Sequence, residues 1–111
     1  MGRFIIGDVV AVPFPFSNLS GSKLRPAVVL AEAEFGDLIL CQITSNPYSS
    51  KNAILITKLD FSEGSLPIRS YVRPDKLFTA ESTIIQKSKG KLKLKARHKI
   101  LKSVQALFAT G

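Results

Sequence analysis

The apolar positions of this chain come in short, β-branched bursts separated by clusters of turn-forming residues. Val9, Val10 and Val12 precede one such cluster, and Ala27, Val28, Val29 and Leu30 follow it. Branched side chains suit the pleated, half-buried surface of a sheet, while Gly, Pro, Asn, Asp and Ser supply the turns. The pattern predicts strands over residues 4–12, 26–32, 38–44, 53–57, 70–78 and 83–86, with turns at 17–22, 34–37, 45–52 and 60–67. Many short strands with close turns argue for a small barrel or sandwich. Toward the C-terminus the period changes. Ile100, Leu101, Val104, Leu107 and Phe108 fall at i, i+1, i+4, i+7 and i+8, one apolar face of a helix. Lys95, Arg97, Lys99 and Lys102 lie away from or beside that stripe, so the helix should pack on the sheet and leave its cations in water. With no repeat or linker, residues 1–111 read as a single domain.

A chain of 111 residues with 45% hydrophobic content can bury a core of its own. No run approaches the roughly 20 apolar residues of a membrane span. The opening MGRFIIGDVV lacks a long apolar stretch and a small-residue cleavage site, so a cytoplasmic location away from membranes is expected. Cys41 and His98 are the only residues of their types, which excludes an internal disulfide and any His/Cys metal centre. No metal or cofactor is expected. Cys41, amid Leu38, Ile39 and Leu40, reads as a small core residue, and His98 as solvated.

Charge alters the picture more. The net charge is +8, yet residues 1–81 hold eight basic and eight acidic side chains, so the whole excess lies beyond Glu81. A one-sided basic segment attracts polyanions, either nucleic acid or an acidic protein. Within it Lys87, Lys89, Lys91, Lys93 and Lys95 alternate with Ser88, Gly90, Leu92 and Leu94. Strand spacing would put these lysines on one face, as a binding surface or as an edge device against aggregation.

Candidate chemistry begins at Arg25-Pro26, where the second apolar run opens after a polar loop. Proline suits the first residue of a strand and biases Arg25 toward an extended backbone. An arginine at the root of a buried strand can be aimed at a phosphate; equally, it can solvate a hairpin turn. Arg73 and Asp75 lie two apart in a predicted strand, so they share a face, as a reactive pair or as an ion pair bracing the strand. The Pro13-Phe14-Pro15-Phe16 cluster reads as a core corner and Asp8 as the tie of a turn.

The first segment, GDVVAVPFPFSNLSGSKLRPAVVL, is followed by Cys41-Gln42-Ile43-Thr44-Ser45 and then by Ser70-Tyr71-Val72-Arg73-Pro74-Asp75-Lys76-Leu77-Phe78-Thr79. In that order, closed by a helix ending in Leu107-Phe108, these segments resemble the MazF/PemK family of toxin endoribonucleases from type II toxin–antitoxin systems. The resemblance implies a mainly β fold, an SH3-like small barrel of the CcdB/MazF/PemK type with a C-terminal helix. It also implies a homodimer that cuts single-stranded RNA without metal and with a sequence preference. A cognate acidic antitoxin would be its partner, and the toxin–antitoxin complex would bind DNA.

By the same resemblance, the family's strand-root arginine falls on Arg25 and its strand-end pair on Thr44 and Ser45. The arginine and aspartate credited with catalysis fall on Arg73 and Asp75. Base contacts are expected from Ser17, Asn18, Lys23, Ser45, Asn46 and Tyr48. Family members often carry a histidine or glutamate in the loop before the Arg-Pro pair, and residues 17–24 contain neither. Two alternatives stay open: a barrel that binds nucleic acid with little or no catalysis, and a CcdB-like toxin that poisons a protein. The latter branch relies on a tryptophan near its C-terminus, and this chain has no tryptophan.

Overall fold

A computed structural model describes residues 4–15, 22–47, 51–85 and 87–109, with side chains 14, 15, 22 and 23 left out of the account. Among the described residues seven antiparallel strands form one sheet, bent into a half-barrel: β1 Asp8–Pro15, β2 Ser22–Glu32, β3 Asp37–Thr44, β4 Ile54–Ile56, β5 Phe61–Gly64, β6 Ser70–Glu81 and β7 Lys87–Leu92. Across the sheet they run β4-β6-β3-β2-β1-β7-β5. A helix, α1 Leu94–Leu107, follows. No helix among the described residues is long and apolar enough to cross a membrane.

Period-two alternation sends side chains to the two faces of the central strands, and each face has its own apolar cluster. Val9, Val28, Cys41, Ile43 and Val72 meet Ala96 and Ile100 of α1 on one side; Val10, Val12, Ala27, Val29 and Leu40 gather on the other. Cys41 is fully buried and His98 exposed, both as expected. The helix seats Ile100 in the core with Leu101 and Val104 against it, while Phe108 lies past the helix end, exposed. Asp8 ties its turn as expected, its Oδ2 accepting from the Ile5 amide at 2.9 Å. Of the proline–phenylalanine corner, Pro13 is half-buried, the side chains of Phe14 and Pro15 are not described, and Phe16 lies outside the described residues.

Four expectations need correction. Residues 60–67 are not one long turn, because Phe61 drops into the core and starts β5. Residues 83–85 do not form a strand, and Gln86 lies outside the described residues; Ser82–Ile84 is a 3-10 turn on the way from β6 to β7. Arg97 is not left in water. It lies across Gly7, whose φ of +95° leaves no room for a Cβ beside the arginine stem, and its NH1 donates to the Ile6 carbonyl at 3.0 Å. Finally, the lysine row is not an edge. β7 is paired on both sides, with β1 and with β5, and only residues 87–92 are strand; Lys95 belongs to α1.

Candidate active site

β3 lies between β2 and β6, and this order brings distant segments of the chain together. Ala27 pairs with Gln42 and Val28 with Cys41; carried two residues further, the same register sets Arg25 beside Thr44. On the other side Thr44 pairs with Tyr71 and Ile43 with Val72. Ile43, Val72 and Val28 point into the helix-side core, so Arg25, Thr44, Tyr71 and Arg73 fall by alternation on the opposite face. Arg25 is thus level with Tyr71 across β3, and Arg73 sits two residues further along β6.

Arg73 and Asp75 owe their position to an irregularity. The β3–β6 register jumps from Ile43↔Val72 to Cys41↔Leu77, so four residues of β6, Arg73 to Lys76, lie opposite the single Gln42 and bulge out of the ladder. Pro74 cannot donate to a ladder and is fully buried in that bulge, which turns its two neighbours outward together. Arg73 NH2 meets Asp75 Oδ2 at 2.9 Å, and Nε meets Oδ1 at 3.4 Å. That hydrogen bond, aided by the positive charges of Arg73 and Lys76, holds the Asp75 carboxyl below the usual carboxylate range. The pair is an ion pair in geometry, and it is also a cation and a base presented side by side.

Where β2 begins and β3 ends, an open cleft of about 440 Å³ is lined by Arg25, Thr44 and Ser45, and by Lys89 of β7. Arg73 and Asp75 do not line it. The Thr44 hydroxyl oxygen accepts from the Asn46 amide at 3.1 Å, so its own hydrogen is left to donate elsewhere. Ser45 and Asn46 are exposed, and of the two Ser45 lines the cleft. Ser17, Asn18 and Tyr48 lie outside the described residues, and of Lys23 only the backbone, in β2, is described. Lys89 was not singled out from its row by sequence reasoning. Gly90 beside it was the available signal, since a glycine inside a strand marks a bulge or a close backbone approach.

The cleft brings together a guanidinium, from Arg25, and a hydroxyl donor, from Thr44, while the Arg73–Asp75 pair stands outside its lining. Comparison with known proteins gives that arrangement a context. Residues 6–108 match the family model described as PemK-like, MazF-like toxin of type II toxin–antitoxin system. Among curated proteins none matches. The fold resembles a MazE–MazF crystal structure from Deinococcus radiodurans at a TM-score of 0.77 and 16% identity, covering 99% of this chain and 100% of that one. It also resembles a mycobacterial endoribonuclease solved with its cognate antitoxin, at 0.71 and 15%, covering 100% and 98%. The Mycobacterium tuberculosis toxin MazF-mt6 matches at 0.72 and 13%, covering 94% and 98%.

Proposed function

Since the chain belongs to the PemK-like, MazF-like toxins of type II toxin–antitoxin systems, we propose that it is an endoribonuclease that cuts single-stranded RNA from the face carrying Arg25, Thr44, Arg73 and Asp75. The reaction needs no metal. The ribose 2′-hydroxyl loses its proton to Asp75 and attacks the adjacent phosphorus. The bond to the 5′-oxygen breaks, leaving a 2′,3′-cyclic phosphate and a 5′-hydroxyl. Arg25 meets the charge that builds on the phosphoryl oxygens, because a guanidinium presents a planar fork to phosphate and stays protonated. Thr44 donates its hydroxyl to the same phosphate. Arg73 acts on the leaving oxygen through its field, and a water supplies the proton, since guanidinium holds its own too tightly.

Ser45, Asn46, Lys23 and the residues Ser17, Asn18 and Tyr48 choose the sequence by contacting splayed bases. The protein works as a homodimer and is silenced by an acidic antitoxin drawn to the basic segment beyond Glu81. The observation that carries this reading is the cleft that Arg25 and Thr44 line together. A direct experiment incubates the purified protein with mixed RNA in excess chelator and maps the ends. Cyclic phosphates at recurring sequences support the enzyme. Binding without cleavage supports the non-catalytic barrel, which the absence of histidine and glutamate from residues 17–24 would favour.

A further inference from the structure

Lys89 is set apart from the other lysines of its segment by the backbone that carries it. Val9 pairs with Gly90 and Val10 with Ser88, so Lys89 is the extra residue of a β-bulge opposite β1. Bulges re-aim the side chain they carry. On the other side Gly90 pairs with Gly64 of β5. The two backbones approach so closely that a Cβ at Gly64 would run into the Lys89 carbonyl, and one at Gly90 into the Glu63 carbonyl. The result is that Lys89 lines the cleft with Arg25, Thr44 and Ser45. Lys91 instead reaches the Glu63 carboxylate at 4.0 Å; among the described residues no such ion pair involves Lys89.

The cleft also has an apolar wall, of Leu24, Leu66 and Ile68. Leu24 is 54% exposed and Ile68 64%. That wall is held in place: the buried Ser70 hydroxyl donates to the Ile68 carbonyl at 2.8 Å. Exposed apolar side chains in one cleft with two cations and two hydroxyls are matched by a ligand that alternates anionic links with flat apolar faces, which describes a single strand of RNA.

We propose that this end of the cleft is a nucleotide subsite adjoining the bond that is cut, in which Lys89 holds the neighbouring phosphate and Leu24, Leu66 and Ile68 take the face of its base. This rests on the RNA-cleaving reading above and adds to it a binding contact from the C-terminal basic segment. Lys89 contributes to substrate affinity and not to bond breaking.

The test uses the whole protein and a mixed-sequence single-stranded oligonucleotide with 2′-fluoro riboses, which bind but lack the attacking hydroxyl. Lys89→Gln should lower the slope of log affinity against log salt by about 0.7, the value of one phosphate contact on a single strand. Lys89→Arg should keep the wild-type slope, as should Lys58→Gln outside the cleft. Ile68→Ser should weaken binding several-fold without touching the slope. On cleavable RNA, Lys89→Gln should raise KM and leave kcat within about twofold. A Lys89→Gln slope equal to wild type overturns the subsite even where the wild type cleaves well. A wild type that binds without cutting removes the nuclease reading alone, and Lys89 is still judged by its slope. If Lys89→Gln loses affinity only for an acidic peptide, Lys89 belongs to a protein partner and the subsite falls.

Discussion

The guanidinium of Arg73 grips both carboxylate oxygens of Asp75 across a single buried proline, at 2.9 and 3.4 Å. The carboxyl group is thereby kept ionised below its ordinary range, near pH 4 for a free aspartate. If Asp75 takes the 2′-hydroxyl proton, kcat/KM should hold steady as pH is lowered and fall only below about 4. Arg73→Gln removes the group that favours the carboxylate, so the acid limb should move to higher pH. A limb that stays in place in the variant would mean that another group titrates. Stability follows the same sign: the pair helps above the unfolded-state value and stops helping as pH falls through the lowered folded one. With Asp75 well exposed, that contribution is small.

Arg25 and Thr44 should respond differently to truncation. Preorganised donors to a developing oxyanion are worth about 10²–10³ in rate, so Arg25→Ala should cut kcat by about 10²-fold. Thr44→Val removes a neutral donor and should cost less, on the order of tenfold. Melting temperatures close to wild type are expected for both, because neither side chain is fully buried. A wild-type rate in Arg25→Ala would remove it from the mechanism.

Gly64 has a φ of +70° and no space for a Cβ against the Lys89 carbonyl. Gly64→Ala should therefore lower stability by about 1–3 kcal/mol in urea denaturation, the usual cost of forcing a side chain into that backbone. The same change disturbs the β5–β7 contact beside Lys89, so RNA affinity should fall with it.

Cys41 makes a simple probe of the core. Burial pushes its thiol up to about 12, leaving it neutral at physiological pH. Iodoacetamide should leave the native protein unlabelled at pH 8 and modify it fully in denaturant. Rapid native labelling would show that the β2–β3–β6 centre opens readily.

Legibility in the sequence followed the strength of local signals. The central strands were readable because valines and isoleucines there serve an apolar cluster on each face. α1 was readable because Ile100, Leu101 and Val104 repeat at helical spacing. β5 was hidden because Phe61 is its only buried residue and the rest, Ser62-Glu63-Gly64, has turn composition. Thr83 and Ile84 misled in the other direction, their β-branched side chains overridden by the need to turn between β6 and β7. The Arg25–Thr44 neighbourhood was approachable only through a family likeness, since no local pattern gives the register of strands 20 residues apart. The β6 bulge at Pro74 and the β7 bulge at Lys89 depend on which strands lie alongside. Nothing within either segment states that.

β7 is the last strand to be made, yet it lies inside the sheet, between β1 and β5. Until residue 87 emerges from the ribosome, nothing joins β5 to β1, and the cleft lacks Lys89. Closing pairs such as Asp8 with Lys91 comes late and slowly, because the chain between them is long. A chain released before that point would carry Arg25 and Thr44 in an unclosed sheet, beside an incomplete cleft.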